Sequence, residues 1–348
     1  MTGGAGFVGS SLAVFLKGAG CGEVVCFDNL KRRGSELTLP RLREHGIRFV
    51  HGDIRNRGDL EDLPPADVLI ECSAEPSVLA GYAGSSPAYL LDTNLSGAVN
   101  CFEWARRCRA AVLFLSTSRV YPYDRLRRLP LRPGETRFEW EGELQPGAGP
   151  DGISEEFPLD GVRSLYGATK LAAELILAEY SDAYGLPFII NRCGVVTGPW
   201  QFGKTDQGVF MYWLLSHYFK RPLSYIGFGG EGKQVRDLLH VIDLAELVKA
   251  ELDGLSGCSG KTYNVGGGRE VSLSLKEATE ICRELTGNRV QIQPVLDERP
   301  ADIPWYLTDS SRVRNDLGWR PKFKQKDILA DMMEWVEANE QRLQTALG

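Results

Sequence analysis

The sequence has few of the residues from which metal, membrane or nucleic-acid sites are built. Its 348 residues include four histidines and eight cysteines with no Cys-x-x-Cys pair, so we expect no metal site. Cysteines in apolar stretches, such as Cys26 and Cys72, are typical of reduced thiols that serve as small hydrophobic side chains in a cytoplasmic protein. No apolar run approaches the roughly 18 residues of a membrane span, and no cleavable leader is visible. The net charge of −6 does not favour nucleic acid, so we expect neither a membrane nor a nucleic-acid partner.

The sequence does contain an ordinary globular composition and a regular alternation of strand and helix patterns. Hydrophobic residues make up 43% and charged residues 25%, which allows one large α/β domain with a smaller lobe. We predict strands at residues 23–27, 48–51, 68–72, 111–116 and 188–192, and helices at 10–16, 94–109 and 165–184. This alternation predicts a doubly wound parallel sheet of the Rossmann type.

The second half of the chain changes character, with frequent glycine, proline and aromatic residues between positions 199 and 232. Helical patterns return at 241–251, 273–286 and 328–346. We therefore expect a smaller lobe of mixed α/β structure that packs against the ligand edge of the sheet. Segment 119–156, rich first in arginine and then in glycine, proline and acidic residues, is predicted to be a solvated surface loop.

A glycine-rich turn at residues 2–9 precedes the first predicted helix. Glycines at this spacing let the backbone approach a pyrophosphate, whose charge rests on the helix N-terminus. Asp28 follows Gly9 by 19 residues at the end of a strand, where a carboxylate binds an adenosine ribose and repels a 2′-phosphate. These features favour NAD over NADP. Residues 31–33, which are Lys-Arg-Arg, argue mildly the other way and are expected to form an exposed cationic turn, and Asp53 is placed to meet the adenine.

The glycine-rich turn should follow a buried strand, yet only Met1 precedes Thr2. That strand would lie at the centre of the sheet, where its two neighbours need it as a hydrogen-bonding partner. We expect Met1 to be the end of this strand and the native start to lie some residues upstream. A form without the strand would have reduced stability and cofactor affinity.

Tyr166 and Lys170 stand four positions apart at the start of a predicted helix, so their side chains leave the same face. A free tyrosine has a pKa of about 10, and a nearby ammonium favours its ionised form. Tyr166 could then take a proton from a hydroxyl as hydride leaves for the cofactor. Ser116 and Thr117 end an apolar strand at the edge where open sheets bind ligands. Thr117 is the candidate donor to the substrate oxygen, Ser116 is expected to line the nicotinamide pocket, and Ser118 is expected to cap the backbone.

The chain at this point resembles the extended short-chain dehydrogenase/reductases that act on nucleotide sugars. The resemblance covers nearly the whole chain and rests on motifs in the family's order, at residues 2–9, 28–30, 52–55, 94, 117, 166–170, 192, 236–237 and 263–266. Within this family the chain looks most like the CDP-paratose 2-epimerases, also called CDP-tyvelose epimerases. The segments that carry this second likeness are 116–121, 135–137, 201–202, 206–208 and 232–237.

The resemblance implies tightly held NAD and a nucleotide-diphosphate sugar substrate, a CDP-sugar in this subfamily. Hydride leaves one sugar carbon, C2 in the 2-epimerases, and returns to its other face. It also implies that Arg236 and Arg299 meet the substrate diphosphate, which suits guanidinium groups because they pair bidentately with phosphate oxygens. A surface ion pair is the alternative role for Arg299.

Motifs and resemblance together give the predicted site. The catalytic residues are Thr117, Tyr166 and Lys170. The cofactor-binding residues are Gly3, Gly6, Phe7, Val8, Gly9, Asp28, Asn29, Asp53, Ile54, Ser73, Ala74, Asn94, Ser116, Tyr166 and Lys170. The substrate-binding residues are Thr117, Arg192, Gln201, Phe202, Gln207, Arg236 and Arg299. We expect residues 1–192 to form the dinucleotide-binding domain, with 233–266 returning to it, and residues 193–348 to form the interleaved substrate-binding lobe.

The sequence departs from the family in several places. Glu75 is unexpected near the cofactor, Pro122 replaces the usual glycine, and the loop that ends near Glu156 is longer, so the sugar specificity could differ. Sugar dehydratases of this family carry acidic residues directly after the catalytic threonine. Here Ser118 and Arg119 follow, which counts against dehydration.

Several alternatives stay open at this point. A UDP- or GDP-sugar 4-epimerase would use the same three catalytic residues. A net dehydrogenase or reductase of nucleotide sugars would release the reduced cofactor, and a non-catalytic NAD(P)-sensing module would keep the fold without turnover. The predicted helices 94–109 and 165–184 could form a four-helix contact between subunits, so we expect a homodimer or a tetramer.

Overall fold

The computed structural model describes residues 1–82, 84–202 and 208–347. The strands are β1 (Val25–Asp28), β2 (Arg48–His51), β3 (Val68–Glu71), β4 (Ala111–Thr117), β5 (Leu131–Pro133), β6 (Phe138–Trp140), β7 (Ala148–Gly149), β8 (Gly152–Ile153), β9 (Phe188–Cys193), β10 (Val195–Thr197), β11 (Leu223–Ile226), β12 (Val235–His240), β13 (Lys261–Val265), β14 (Ser272–Ser274), β15 (Ile292–Val295) and β16 (Trp305–Tyr306). The helices are α1 (Phe7–Gly18), α2 (Leu39–Glu44), α3 (Arg57–Glu61), α4 (Ala88–Leu91), α5 (Ala98–Cys108), α6 (Tyr123–Leu126), α7 (Leu165–Tyr184), α8 (Val209–Tyr218), α9 (Val241–Asp253), α10 (Leu255–Cys258), α11 (Leu275–Thr286), α12 (Ser311–Leu317), α13 (Gln325–Ala338) and α14 (Glu340–Leu347).

The main sheet is parallel and has the order β2–β1–Thr2–β3–β4–β9–β13. Thr2 forms isolated bridges with Phe27 of β1 and Glu71 of β3. Its N–H donates to the Ile70 carbonyl at 3.1 Å, and the Met1 carbonyl accepts from the Phe27 N–H at 2.8 Å. Met1 and Thr2 therefore lie at the centre of the sheet, between β1 and β3, where the sequence analysis expected the end of a strand. The predicted doubly wound parallel sheet is confirmed.

Helices cover both faces of the main sheet because its buried side chains alternate between two hydrophobic clusters. Val112 and Phe114 of β4 pack in the cluster that holds α5 and α7. Leu113, which lies between them, packs in the cluster that holds α1 and α9. Successive strand residues point to opposite faces, so a continuous apolar strand is what a sheet covered on both sides requires.

The smaller lobe has a sheet and a core of its own. Strand β12 pairs with β10 and β16 in parallel and with β14 in antiparallel fashion, and β11 pairs with β15. Helices α8, α11 and α13 enclose a separate cluster that includes Trp213, Ile281 and Met332. Strand β13, between β12 and β14 in the chain, instead joins the main sheet.

The prediction that segment 119–156 is a solvated surface loop is wrong for much of its length. The segment contains α6 and two hairpins, β5–β6 and β7–β8. Tyr121, Leu126 and Ile153 are buried in one cluster with Trp305. Its apolar residues are spaced irregularly, and they find their partners about 150 positions further along the chain, so the pattern of the segment alone does not reveal its core.

Several predicted boundaries shift for local reasons. The predicted helix 94–109 is α5 preceded by a π-helical segment, Asp92–Gly97. The predicted helix at 273–286 begins two residues later, because Ser274 ends β14 and caps α11. The predicted helix 328–346 is two helices, α13 and α14.

Candidate active site

A cavity of about 910 Å³ lies at the carboxyl edge of the main sheet. Residues that follow β1, β3, β4 and β9 line it, and the smaller lobe provides its other side. Ligands of open α/β sheets bind at this edge. Most of the predicted cofactor- and substrate-binding residues line the cavity: Gly3, Gly6, Phe7, Val8, Gly9, Asp28, Asn29, Ile54, Ser73, Ala74, Ser116, Thr117, Tyr166, Lys170, Gln201, Phe202, Arg236 and Arg299. Gln207 lies outside the described residues.

The glycine turn brings the chain close against itself at the N-terminus of α1. A Cβ atom on Gly9 would lie 2.2 Å from the Gly3 carbonyl oxygen, so this approach requires glycine. Gly6 precedes the helix and lies on the cavity wall. The first-turn N–H groups of α1 and its dipole favour an anionic group there. The turn therefore fits the diphosphate of a dinucleotide.

Asp28 at the end of β1 presents a fixed carboxylate to the same cavity. Its two oxygens accept from the N–H of Leu30 at 2.8 Å and the N–H of Ala5 at 3.1 Å. Burial raises the pKa of Asp28, and these N–H groups oppose the rise. The carboxylate oxygens have further lone pairs that can accept from ribose hydroxyls. Lys31 and Arg33 are exposed beside it, as predicted for a cationic turn.

Two residues predicted to touch the cofactor lie outside the lining of the cavity. The Asp53 carboxylate accepts from Arg55 Nη2 at 2.6 Å and from Asn29 Nδ2 at 2.9 Å, and these bonds lower the pKa of Asp53 to about 2. Asn94 accepts from the Glu75 N–H at 2.7 Å and donates to the Glu75 carbonyl at 3.0 Å. Asp53 thus orients Asn29, which lines the cavity, and Asn94 fixes the loop after β3.

Thr117 and Tyr166 come together from β4 and the first turn of α7. Both side chains line the cavity, and Thr117 lowers the pKa of the Tyr166 phenol as a hydrogen-bonding group. Burial raises the pKa of Tyr166 to about 12, while the bond with Thr117 and the charge of Arg119 oppose the rise. Arg119, to which the sequence analysis gave no binding role, also lines the cavity. The pair thus has the alcohol and the phenol that proton exchange with a sugar hydroxyl needs.

Gly167 allows α7 to lie directly against the turn Ser118–Val120 that follows β4. A Cβ atom on Gly167 would lie 2.0 Å from the Arg119 carbonyl oxygen. The Ser164 hydroxyl caps the helix by accepting from the Gly167 N–H at 3.2 Å. These contacts fix the first turn of α7, and Tyr166 with it, against the end of β4.

Lys170 lies one turn further along α7 and is paired with Glu71 at the end of β3. Its Nζ atom is 3.6 Å from Glu71 Oε2 and 3.9 Å from the centre of the Phe114 ring. The side chains of Lys170 and Glu71 are only 2% and 1% exposed. The sequence analysis assigned no role to Glu71, although an acidic residue that ends an apolar strand signals a specific partner, since a buried charge needs one.

Arg192 was predicted to bind substrate, but the structure places it outside the lining of the cavity. Its guanidinium is buried, forms a bidentate ion pair with Glu174, with Nη2 and Oε2 2.7 Å apart, and donates to Tyr121 Oη at 3.2 Å. Ser116 donates to the same carboxylate of Glu174, and Tyr121 donates to Asn264 Oδ1 at 2.8 Å. Arg192 therefore ties α7 to β9 and to the turn after β4.

Cationic side chains occupy the end of the cavity that the smaller lobe provides. Arg236 Nη2 lies 3.0 Å from Asp302 Oδ1, and burial lowers the pKa of Arg236 to about 10. Arg119 donates to the Ala301 carbonyl at 3.3 Å, and Arg299 also lines this end. Segment 299–302 thus brings cationic and acidic groups to one wall of the cavity. This arrangement suits a diphosphate, which could share Arg236 with Asp302.

Two further findings concern the whole described chain. Over residues 1–82, 84–202 and 208–347, no helix is both long and apolar enough to cross a bilayer. In the same ranges, no three His, Cys, Asp or Glu side chains gather as metal ligands would. The eight cysteines are free, and five of them are buried.

Comparisons with known proteins agree with this site. Residues 1–266 match the model of the NAD dependent epimerase/dehydratase family. The chain is 30% identical to the CDP-paratose 2-epimerase of Salmonella typhi, over 97% of this chain and 98% of that protein. It is 27% identical to a dTDP-glucose 4,6-dehydratase of Streptomyces niveus, over 97% and 92%. The UDP-glucose 4-epimerase of Thermus thermophilus, solved with NAD, superposes with a TM-score of 0.75 and 25% identity over 97% of both chains. The expected resemblance and the expected NAD cofactor are thereby confirmed, because the chain belongs to the NAD dependent epimerase/dehydratase family.

Proposed function

We propose that the protein is an epimerase of a nucleotide-diphosphate sugar, and that it inverts C2 of a CDP-sugar of the CDP-paratose or CDP-tyvelose type. One observation carries the proposal. Thr117, Tyr166 and Lys170 line the same cavity as the glycine turn and Asp28, with arginines at its far end. A dinucleotide laid from Asp28 towards Tyr166 would bring its reactive ring to these three residues.

The chain's own residues account for the proton chemistry of a transient oxidation. NAD, which the glycine turn and Asp28 would hold, would supply the acceptor for the hydride of the sugar and the means of its return. Tyr166, once ionised, removes the hydroxyl proton of the carbon to be inverted and later gives it back. Thr117 donates a hydrogen bond to the same oxygen as charge develops there. Lys170 favours the phenolate through its positive charge.

The surroundings of Thr117 favour epimerisation over dehydration. Loss of water requires an acid that protonates the leaving hydroxyl. The acidic side chains along the described lining of the cavity are Asp28, Glu75 and Asp302. Asp28 accepts from the glycine turn, Glu75 accepts from the Ser77 N–H at 3.2 Å, and Asp302 pairs with Arg236. The residues next to Thr117 are instead a serine and a cationic arginine.

The CDP-sugar assignment is supported by the Salmonella relative, which is similar to this chain over nearly its full length. We place the sugar nucleotide between the end of β9 and the lobe formed by residues 193–348, with the diphosphate at Arg236 and Arg299. Gln201 and Phe202 line the same wall. The alternative is a UDP- or GDP-sugar 4-epimerase. The fold similarity to a UDP-glucose 4-epimerase supports it, and the catalytic residues would be the same.

The substrate and the reaction can be tested together. Denaturation of the pure protein should release NAD. Incubation with CDP-, UDP-, GDP- and dTDP-sugars in heavy water, followed by NMR, should show one sugar inverted at one carbon. That carbon should keep its own hydrogen. Deuterium at the inverted carbon would contradict internal return of the hydride. Stoichiometric formation of NADH would contradict an epimerase, and inversion at C4 would select the alternative.

The role of Tyr166 is tested by Tyr166→Phe, which removes the phenolic oxygen and leaves the ring. We expect this variant to retain bound NAD and to lose at least about 100-fold in turnover, as general-base variants do. Turnover near that of the wild type would exclude the mechanism.

A further inference from the structure

The pair formed by Glu71 and Lys170 does not enter the mechanism described above. Glu71 ends β3 in the middle of the main sheet, and Lys170 reaches it from α7. Glu71 Oε1 accepts from the Ser73 N–H at 2.9 Å and from Thr2 Oγ1 at 3.5 Å, while Oε2 is 3.6 Å from Lys170 Nζ. One carboxyl group therefore holds the catalytic lysine, the first residue of the glycine-rich turn and the loop beside the cavity.

We propose that Glu71 is the positioning residue of Lys170, and that its carboxylate holds the ammonium in place and offsets part of the positive charge that acts on Tyr166. The inference rests on the proposed function, because it assumes that Lys170 acts on Tyr166. Lys170 lines the cavity, whereas Glu71 lies behind it. The carboxylate therefore has no contact with substrate and acts through Lys170 and through its charge on Tyr166.

The ionised pair is the state that the burial of both groups favours. An ammonium that is 2% exposed needs a counter-charge, and Glu71 is its ion-pair partner within the described chain. Protonating the acid or deprotonating the amine would leave one buried charge without compensation. Burial raises the pKa of Glu71, and the charge of Lys170 opposes that rise. The thiols of Cys72, Cys101 and Cys193 also interact with the charges of this pair, Cys72 and Cys101 with both groups and Cys193 with Lys170.

Glu71→Gln removes the negative charge and keeps the shape. The amide oxygen can still accept from the Ser73 N–H. The ionised Glu71, which disfavours the phenolate of Tyr166, would then be absent. The pKa of Tyr166 should fall, since loss of a negative charge lowers the pKa of a nearby phenol. We expect a downward shift of about half a unit to one unit in the titration of Tyr166.

The shift can be measured without any sugar substrate. The NAD-loaded protein is labelled with [13Cζ]tyrosine, and the Tyr166 resonance is assigned by its loss in Tyr166→Phe. Its chemical shift is then followed against pH in wild type and Glu71→Gln. A lower titration midpoint in the variant supports the proposal. Equal midpoints, or the absence of a Tyr166 titration in the variant, would overturn it.

Glu251→Gln is the matched control. Glu251 is also a buried glutamate, but it accepts at 2.8 Å from Nδ2 of Asn191 on β9, two strands away from β3 in the sheet. Its neutralisation should leave the Tyr166 titration where it is in the wild type. If Glu71→Gln does not fold, as judged by circular dichroism, Glu71→Asp replaces it in the test. This variant draws the carboxylate back by one methylene and should lower the titration midpoint of Tyr166 by a smaller amount.

The two proposals fail in distinguishable ways. Absence of turnover on every nucleotide sugar would count against the epimerase and would leave the Tyr166 titration interpretable. An unshifted titration in an active epimerase would overturn only the role of Glu71. Where turnover is found, the acidic limb of the kcat profile should move to lower pH in Glu71→Gln, with KM little changed. A merely structural glutamate would not move that limb.

Discussion

Gly167→Ala should misplace the catalytic tyrosine while the protein stays folded. The added Cβ would lie 2.0 Å from the Arg119 carbonyl oxygen, and ordinary Cβ contacts begin near 3.4 Å. The partner is backbone, so no flexible side chain can move aside. The first turn of α7 and the turn after β4 must therefore separate by about one ångström, at a cost of about 1–3 kcal/mol of stability. A displacement of this size at a catalytic group lowers turnover by about 100-fold.

Gly18→Ala is the matched control for this variant. It adds the same methyl group to a helix at a position where, apart from the adjacent residues and the backbone of the helix itself, no atom of the described chain lies within 4 Å of the added carbon. Turnover should equal that of the wild type. The assay is epimerisation of the sugar nucleotide found in the screen, with bound NAD and urea unfolding measured on the same preparations. A Gly167→Ala variant that turns over at the wild-type rate would refute the reasoning, because the contact would then not set the position of Tyr166.

Three further predictions concern stability and assembly. Arg192→Met leaves the buried Glu174 carboxylate without its partner and should lower the free energy of unfolding in urea by about 3–5 kcal/mol. The double variant with Glu174→Gln should restore part of this loss. A loss of substrate affinity at unchanged stability would contradict the structural role of Arg192. Burial raises the pKa of Glu251 to about 8, so the folded state binds more protons than the unfolded chain between its ordinary pKa and 8, and stability falls as pH rises through that range. Glu251→Gln should reduce the fall in unfolding free energy between pH 5 and 8. An unchanged dependence of stability on pH would contradict a raised pKa for Glu251. Leu175 and Leu165 on α7 are 61% and 37% exposed. Leu175→Glu should shift the sedimentation of the homodimer expected through α7 to that of a monomer, and a wild type that sediments as a monomer would refute the dimer.

Local signals were enough to predict the elements that frame the site. Helix α7 has the predicted bounds, 165–184, because Ser164 caps its start and Gly185 ends it in a left-handed conformation with φ of 67°. The glycine turn and Asp28 were equally visible, since their geometry depends on a few neighbouring residues. The conformation of such elements is determined by residues close in sequence, so the sequence predicts them well.

The roles of charged residues depended on the fold and could not be read in the same way. Glu174 and Arg192 are 18 positions apart, on a helix and on a strand, and nothing in either segment shows that they meet. A diphosphate ligand and a buried carboxylate satisfy a guanidinium equally well. The motif order therefore placed Arg192 in the site, and only the pairing of β4 with β9 beneath α7 assigned it to Glu174.

The acidic residues after β3 show where sequence reasoning reaches its limit. Glu75 drew attention because it follows the strand near the nicotinamide pocket, yet its backbone is fixed by Asn94 and its carboxylate accepts from its own loop. Glu71 is the residue that meets Lys170. It follows Leu69 by two positions, so strand alternation puts it on the face that α5 and α7 cover, where Lys170 projects inward. The alternation was visible in the sequence, but which helix covers that face was not, because the crossover topology decides it. Once that topology is known, Glu71 is the carboxylate that faces the only buried lysine of the described chain, and the proposed effect on Tyr166 rests on that ion pair.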